Sequence, residues 1–344
     1  AFTEAAVGSG ISTVLILAAL ALTTSEEKAK KARPTFALAL TITTGALLIY
    51  GTLDMPSYGD PNAPIHAHVA PQSQVLNFGR KFDAIEAAQI ARISGMRGIV
   101  FKEHHTETAS WAYLVSQMVP DIELFGGIVL NRYVGGINPS AVAAMALSLG
   151  GHGKVVYMPT MDAEYRNSNP ENAVIVTRNG DLVPEVYEVL EIMAEHNLAL
   201  STGHVSPDEA LLLIREAKAA GVDQIYVQHP NHSRMPVSMA TMKEMIRLGA
   251  YIEVVLSGDG FTGGGPAVVD LVNPVNDYGP QKLADIRELG PENIVLTTDL
   301  GQLGRVDYAR SFEMALEVLV EEGFSQEEID LMTKINPARF LGLD

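Results

Sequence analysis

Two long apolar runs occupy most of the first sixty residues and are separated by a short charged loop. Residues 5–24 and residues 34–53 contain no charged side chain. Either run would extend about 30 Å as an α-helix, which matches the hydrocarbon core of a bilayer. The pattern predicts two transmembrane helices and their linker over residues 1–60, in contact with membrane lipid through residues 5–53. The alternative is a helical hairpin buried in a soluble core.

The basic residues of this N-terminal segment predict its orientation. Lys28, Lys30, Lys31 and Arg33 all lie in the loop between the two apolar runs. The positive-inside rule places such a loop in the cytoplasm. Both chain termini, and the rest of the protein with them, are then predicted on the extracytoplasmic side of the membrane.

Beyond residue 60, short apolar runs alternate with stretches of helical spacing such as DAIEAAQIARISG, and several of these stretches end in glycine. The predicted strands are Ala63–His68, Arg97–Lys102, Glu123–Leu130, Lys154–Met158, Ala199–Thr202, Gln224–Gln228, Tyr251–Leu256 and Asn293–Thr298. Alternating β and α elements form parallel sheets with right-handed crossovers. Eight such units predict an α/β fold, a (β/α)8 TIM barrel over residues 61–344, with an open doubly wound sheet as the alternative.

The composition removes several classes of function. The chain has 24 Lys and Arg against 41 Asp and Glu, a formal charge of −17, so its folded body is not expected to bind nucleic acid. It has no cysteine, so no thiolate can hold a metal or act as a nucleophile. Hydrophobic residues make up 47% of the chain and charged residues 19%, which excludes a disordered protein.

Histidines concentrate at the ends of the predicted strands. Those that end or follow a strand are His66, His68, His104, His105, His204, His229 and His232. All strand ends of a (β/α)8 barrel open onto one face, where active sites lie. His66 and His68 are two residues apart, so both imidazoles point to the same side of the first strand. With His204, His229 and Asp299 they suit a divalent ion, Zn2+ first, with Mn2+ or Fe2+ as alternatives.

The motifs IHAH, STGH, VQHP and TTDL end the first, fifth, sixth and eighth predicted strands, in that order. This arrangement resembles the amidohydrolase superfamily of metal-dependent barrel enzymes, over about residues 62–344. The stretches IVFKEHHT, FGGIVLNRYVGGINP and VVYMPTMDA are similar to a branch of that superfamily without an assigned reaction. The resemblance implies metal ligands at His66, His68, His204, His229 and Asp299. It also implies that Asp299 takes a proton from the attacking water, and that His229 binds the metal or holds that water.

Lys102 marks a departure from the two-metal members of that superfamily, which carry a carboxylated Lys after the fourth strand. Here the fourth predicted strand ends in MPTMDA, and Lys102 ends the second strand instead. Lys102 is predicted to act in catalysis, either carboxylated as a bridge between two metal ions or as an ammonium that binds a substrate carboxylate. The alternative is an ion pair with Glu103 or Asp162. One metal ion is the default prediction, and two ions require a carboxylated Lys102.

Further polar residues after the strands are candidates for substrate binding. They are Asn131, Arg132, His104, His105, Asp162 and His232. The guanidinium of Arg132 suits a carboxylate or phosphate because it offers paired N–H donors. The alternative for each residue is a local hydrogen bond within its own loop.

The expected function is a membrane-anchored, metal-dependent hydrolase. It would activate water against the amide, ester or lactone carbonyl of a small-molecule substrate. One alternative is a metal-dependent decarboxylase or other lyase of the same fold. Another is a non-catalytic barrel subunit of a membrane complex. The small residues Gly8, Gly10 and Ala19 in the first apolar run also suggest a homo-oligomer.

Overall fold

The structure is a computed structural model that describes residues 67–69, 79–167, 169–231, 236–256, 280–303 and 306–343. The predicted transmembrane hairpin over residues 1–60 lies outside these residues, as do His66 and His232. None of the helices in the described ranges has both the length and the apolar character needed to cross a bilayer. The hairpin therefore stays a prediction.

Eight parallel strands form one sheet in which each strand pairs with the next along the chain. They are β1 Ala67–His68, β2 Gly98–Lys102, β3 Glu123–Val129, β4 Gly153–Tyr157, β5 Ala199–Ser201, β6 Ile225–Val227, β7 Tyr251–Val255 and β8 Ile294–Thr297. The sheet curls so that β1 returns to the end of β8, where Ala67 forms a parallel bridge with Leu300. A doubly wound sheet would reverse its strand order at a switch point. The sequential order therefore confirms the TIM-like architecture.

The helices alternate with these strands along the chain. They are α1 Ala84–Ile93, α2 Ala109–Ser116, α3 Pro139–Ala146, α4 Pro184–Glu195, α5 Pro207–Ala220, α6 Met239–Arg247, α7 Pro280–Leu289, α8 Tyr308–Glu321, α9 Gln326–Asp330 and α10 Asn336–Leu341. The sequence encodes several of their ends directly. At α5, Ser206 and Glu209 exchange the hydrogen bonds of a capping box, and Gly221 ends the helix at φ +92°.

The core has two parts, one on each side of the sheet. The outer part lies between the strands and the buried faces of the helices. The inner part fills the barrel and includes Val100, Tyr157, Tyr226 and Phe340. The C-terminal helix α10 covers the amino ends of the strands, because Asn336 donates to the carbonyl of Ile294, the first residue of β8, at 2.7 Å. The polar residues lie at the opposite end of the barrel, where the strands terminate.

A short antiparallel hairpin interrupts the alternation between β4 and α4. It pairs Thr177–Arg178 with Asp181–Leu182. Asn179 and Gly180 connect the two segments with φ of +57° and +90°. Two positive φ values in a two-residue turn are typical of a type I′ hairpin, and the Asn-Gly sequence favours that turn.

Candidate functional site

His68 and Asp299 meet where the first and last strands close the barrel. His68 is the last residue of β1, and its Nε2 lies 2.9 Å from Oδ1 of Asp299, with both side chains buried. The backbone supports this contact, since the N–H of His68 donates to the carbonyl of Leu300 at 2.8 Å. Asp299 adopts φ +52°, which is unfavourable for a residue with a side chain. Strain of this kind is common at functional sites.

His204 and His229 form a second pair at the ends of β5 and β6. Their Nε2 atoms are 3.3 Å apart and their ring centroids 4.9 Å apart. The Nε2 atom of His229 also lies 4.0 Å from Oδ2 of Asp299. A continuous series of buried side chains therefore runs from His68 through Asp299 to His229 and His204. The sequence-predicted ligands that the structure describes lie together.

Arg166, on the loop after β4, determines which nitrogen of His204 carries the proton. Its Nη1 lies 2.7 Å from Nδ1 of His204. An arginine only donates hydrogen bonds, so this nitrogen accepts and neutral His204 carries its proton on Nε2. That Nε2–H points to Nε2 of His229, which also lies 3.1 Å from the amide nitrogen of Gln228.

Burial keeps the imidazoles of His68, His104 and His204 in their neutral form. It lowers the pKa of His68 well below 6.5, the positive charge of Arg80 lowers it further, and the hydrogen bond to Asp299 opposes both effects. Burial likewise lowers the pKa of His204, followed by the effects of His229 and Arg166. The pKa of His104 falls for the same main reason. Neutral imidazole is the form that binds metals.

The donor types at this site fit a divalent metal ion, but their arrangement does not form a complete cage. The imidazoles of His68, His204 and His229 and the carboxylate of Asp299 are the ligand types that Zn2+ prefers. Among the described residues, however, no three His, Asp or Glu side chains converge on one metal position. His66, the remaining predicted ligand, lies outside the described residues. Metal binding therefore stays a prediction.

Lys102 lies fully buried inside the barrel at the end of β2, in register with His68 on the neighbouring strand β1. Its Nζ sits 4.8 Å from the centroid of the Tyr157 ring. Burial lowers the pKa of Lys102 to about 8, while the negative charges of Asp299 and then Glu253 oppose that shift. The ammonium is thus in the field of the carboxylates of the site. The predicted partner Glu103 has a smaller effect on the pKa of Lys102, and its carboxylate forms an ion pair with Arg80.

Arg80 and Glu103 form a buried ion pair that the sequence analysis missed. Nε and Nη2 of Arg80 donate to the two carboxylate oxygens of Glu103 at 2.9 and 3.1 Å. The same carboxylate accepts the backbone N–H of His104 at 2.6 Å and lies 3.1 Å from Nδ1 of His105. The pair thus fixes the backbone that carries both histidines. No local pattern marks Arg80, since it lies in a loop far from β2 in sequence.

Glu253 is a second missed residue, and it lies at the centre of β7 with no exposed surface. Its Oε2 accepts the backbone N–H of His229 at 2.8 Å, and its Oε1 accepts the hydroxyl of Thr297 at 2.8 Å. It thereby links the middle of β7 to the carboxyl ends of β6 and β8. A signal for it was available, because Glu253 is the only charged residue in the apolar run YIEVVL.

The residues predicted to bind substrate near β3 and β4 mostly contact one another. Asn131 is buried, with its amide nitrogen donating to the carbonyl of His104 and its amide oxygen accepting from Thr160. Nδ1 of His104 lies 2.9 Å from the hydroxyl of Thr160. Asp162 accepts the backbone N–H of Arg132 at 3.0 Å. Local hydrogen bonds therefore account for Asn131 and Asp162, while the guanidinium of Arg132 remains half exposed.

The fold and the position of these side chains define the class: a (β/α)8 barrel with a buried His and Asp site at the carboxyl ends of its strands. The sequence profile of a family of unknown function (DUF6282) matches residues 63–253, and the chain belongs to this family. The matched region includes His68, His204 and His229 and ends before Asp299. No curated protein matches the chain.

Solved structures of similar fold are distant in sequence. An amidohydrolase from Burkholderia multivorans is 11% identical with a TM-score of 0.56, covering 83% of this chain and 100% of its own. A protein described as a 2-pyrone-4,6-dicarboxylic acid hydrolase from Pseudomonas putida is 17% identical with a TM-score of 0.54, covering 83% and 98%. A mutant PTE-like lactonase from Deinococcus radiodurans is 14% identical with a TM-score of 0.52, covering 83% and 96%. At such identities the similarity establishes the fold.

Proposed function

We propose that the protein is a metal-dependent hydrolase that activates a water against an amide, ester or lactone carbonyl. The observation that carries the proposal is the buried series His68, Asp299, His229 and His204, with contacts of 2.9, 4.0 and 3.3 Å. The hydrolases and the lactonase among the proteins of similar fold support the same reaction class. A divalent ion at these residues, Zn2+ first, would lower the pKa of a bound water and polarise the carbonyl.

The residues of the site then have separate roles. His68, His204 and His229, with His66, would hold the ion as neutral imidazoles. Asp299 would accept the proton of the attacking water and return it to the leaving group, since its carboxylate lies between His68 and His229. Buried Lys102 would place a positive charge near the oxygen of the substrate that gains negative charge.

The first test is elemental analysis of protein purified without chelators, beside a His68→Ala/His204→Ala variant. We expect about one equivalent of a transition metal in the wild type and none in the folded variant. The matched control is His196→Ala, which changes a histidine just after α4 and should keep the metal. Wild-type protein that stays metal-free after incubation with Zn2+ or Mn2+ would contradict the mechanism.

The second test is turnover. Metal-loaded protein is assayed against γ-butyrolactone and p-nitrophenyl acetate, with proton release as the readout for both probes. Hydrolysis that disappears in Asp299→Asn while the metal content is unchanged would support the role of Asp299 in proton transfer. Release of carbon dioxide from β-keto acids without ester hydrolysis would instead favour a lyase. Bound metal without either reaction would favour a non-catalytic subunit.

The proposal includes a membrane anchor formed by residues 5–53, with the barrel on the extracytoplasmic side. It rests on the two uncharged runs of the sequence and on the basic loop between them. Alkaline carbonate extraction of membranes tests the anchor, and protease accessibility in intact cells tests the side. Release of the full chain by carbonate would contradict the anchor. Protection of the barrel from external protease would contradict its extracytoplasmic side. Crosslinking in membranes tests the homo-oligomer.

A further inference from the structure

His104 is held in one orientation, just after the end of β2, by contacts to its backbone and to its ring. Its backbone N–H donates to Glu103 at 2.6 Å, and its carbonyl accepts an amide N–H of Asn131 at 3.0 Å. Nδ1 of its ring lies 2.9 Å from the hydroxyl of Thr160. The ring also packs against the ring of His68, with the two centroids 4.9 Å apart. His104 therefore lies beside a predicted metal ligand and has little freedom to move.

The hydrogen bonds of Asn131 determine the direction of the contact between Thr160 and His104. The backbone N–H groups of Thr160 and Asp162 donate to Oδ1 of Asn131 at 2.9 and 3.3 Å, which identifies this atom as the amide oxygen. The amide nitrogen of Asn131 then donates to the hydroxyl oxygen of Thr160 at 3.0 Å. The single hydroxyl hydrogen goes to the nearer of two acceptors, Nδ1 of His104 at 2.9 Å rather than Oδ1 of Asn131 at 3.5 Å. Thr160 is therefore the donor and Nδ1 of His104 the acceptor.

This direction places the proton of neutral His104 on Nε2. A neutral imidazole carries one N–H, and Nδ1 is the nitrogen that accepts. A protonated ring would also carry an N–H at Nε2, so the donor there does not depend on the ionisation of the ring. Nε2 makes no hydrogen bond to the described part of the chain and is not fully buried. The backbone groups and Nδ1 of His104 have protein partners, whereas the Nε2–H is left for a molecule in the mouth of the barrel.

We propose that His104 is a catalytic residue whose Nε2–H donates to the carbonyl oxygen of the substrate while that oxygen gains negative charge. The inference rests on the proposed hydrolase, to which it adds a hydrogen-bond donor for the scissile carbonyl. As the water oxygen bonds to the carbonyl carbon, the π electrons of the C=O bond move to its oxygen and the water proton passes to Asp299. When the C=O bond re-forms, the bond to the leaving group breaks and that group takes the proton from Asp299. His104 keeps its own proton throughout.

Asn131 and Thr160 are positioning residues in this scheme. Both are completely buried, so they act on the substrate only through His104. They fix the donor before the substrate arrives, and a donor that needs no reorientation stabilises a developing charge most effectively. The role of His104 differs from that of Lys102, because His104 offers a directed hydrogen bond and Lys102 a positive charge.

Kinetics of the metal-loaded full chain with γ-butyrolactone test the catalytic role, with proton release as the readout. His104→Leu removes the donor and should lower kcat about 100- to 1,000-fold, with KM and metal content unchanged. His104→Gln should recover much of the loss, because its amide oxygen can accept from Thr160 while its amide nitrogen donates to the substrate. His196→Ala, which changes a histidine just after α4, should keep the wild-type rate.

The position of the proton is tested without turnover. Long-range proton–nitrogen correlation spectra of the metal-free full chain, labelled at its histidines, show which ring nitrogen carries the proton. The signals of His104 are those missing from His104→Gln. We expect the Nε2–H form in the wild type and a mixture of both forms in Thr160→Val, with kcat about tenfold lower in that variant. A proton on Nδ1 of neutral His104 in the wild type would overturn the inference.

Failure of this inference differs from failure of the proposed hydrolase. Wild-type turnover that is unchanged in His104→Leu would overturn the role of His104 alone. A higher KM at unchanged kcat in His104→Leu would also overturn it, because such a residue binds the substrate and its transition state equally. Loss of the metal in His104→Leu would assign His104 to the metal site instead. Absence of turnover in the metal-loaded wild type would overturn the hydrolase and this inference with it.

Discussion

Glu253 on β7 accepts the backbone N–H of His229 through Oε2 at 2.8 Å, and His229 adopts the unusual φ of +25°. A residue other than glycine adopts that region of φ at a cost in free energy, so the surrounding structure must stabilise this backbone conformation. The second oxygen of Glu253 binds Thr297, two residues before Asp299. One buried carboxylate thus fixes the positions from which two predicted ligands project. Glu253 therefore acts on these histidine and aspartate positions through geometry, and on Lys102 through its negative charge.

Replacing Glu253 should therefore weaken metal binding without removing a ligand. We expect Glu253→Ala to lower the affinity for Zn2+ by about 10- to 100-fold, the usual cost of losing a residue that orients metal ligands. Glu253→Gln should recover most of it, since its amide oxygen can still accept the N–H of His229 and its amide nitrogen can donate to Thr297. Competition with a chromophoric chelator measures both variants. Equal affinity in Glu253→Ala and the wild type, with both folded, would show that His229 needs no such support.

Arg166 should act in the opposite direction on the same measurement. Its contact with Nδ1 of His204 places the proton of neutral His204 on Nε2, the nitrogen that faces His229. A metal at Nε2 requires that proton to leave or move, and the charge of Arg166 also opposes a nearby cation. Arg166→Gln should raise the Zn2+ affinity about tenfold. Arg132→Gln serves as the control, because Arg132 contacts none of the predicted ligands. A lower affinity in Arg166→Gln would instead mean that Arg166 holds His204 in its binding orientation.

The sequence predicts the fold well because the periodicity of the chain is local information. Seven of the eight strands of the sheet lie within their predicted ranges, β4 begins one residue early at Gly153, and the order of the strand ends brings His68, His204, His229 and Asp299 together. The residues that support these side chains are less evident in the sequence. Arg80 reaches Glu103 from a loop without a pattern of its own. Arg166 contacts His204, a residue far from it in the sequence. Such contacts form only because the closed barrel brings distant loops together. A short sequence motif carries no information about them.

Gly301 allows the last strand to pass the first at close range. A Cβ built on Gly301 would lie 1.8 Å from the carbonyl oxygen of His68, and φ at this position is +129°. Gly301→Ala should therefore destabilise the protein by about 3 kcal/mol or more, because both the backbone of His68 and the strained φ must adjust. Gly323→Ala is the matched control, with φ +78° and no atom within 4 Å of the added carbon. Urea denaturation of both variants gives the comparison. A similar loss in both would attribute the effect to φ alone.

The buried imidazoles predict that the metal-free protein loses stability in acid. Burial lowers the pKa of His104 well below 6.5 in the folded protein, whereas the unfolded chain takes up the proton near 6.5. Below that pH the unfolded state binds more protons, so the free energy of unfolding falls as pH falls, by about 1.4 kcal/mol per pH unit for each such group. His104→Gln should reduce the slope below pH 6.5 and leave the slope above about pH 7 unchanged. Urea unfolding in EDTA across this range measures both slopes, and an unchanged acid slope in the variant would contradict the prediction.

The buried Lys102 predicts that the stability of the protein also changes with pH in the alkaline range. Its pKa is about 8 in the folded protein against 10.5 for an ordinary lysine, so above pH 8 the folded state releases a proton that the unfolded state keeps. The free energy of unfolding should then rise with pH above 8, at up to about 1.4 kcal/mol per pH unit. The rise should end near pH 10, because burial raises the pKa of Tyr157 and Tyr226 and the unfolded chain loses those protons first. Lys102→Met removes the ammonium and should abolish the rise. Wild-type stability that is flat between pH 8 and about 9.5, measured by urea unfolding in EDTA, would show that Lys102 is not a buried ammonium and would favour the carboxylated form, which carries no titrating amine.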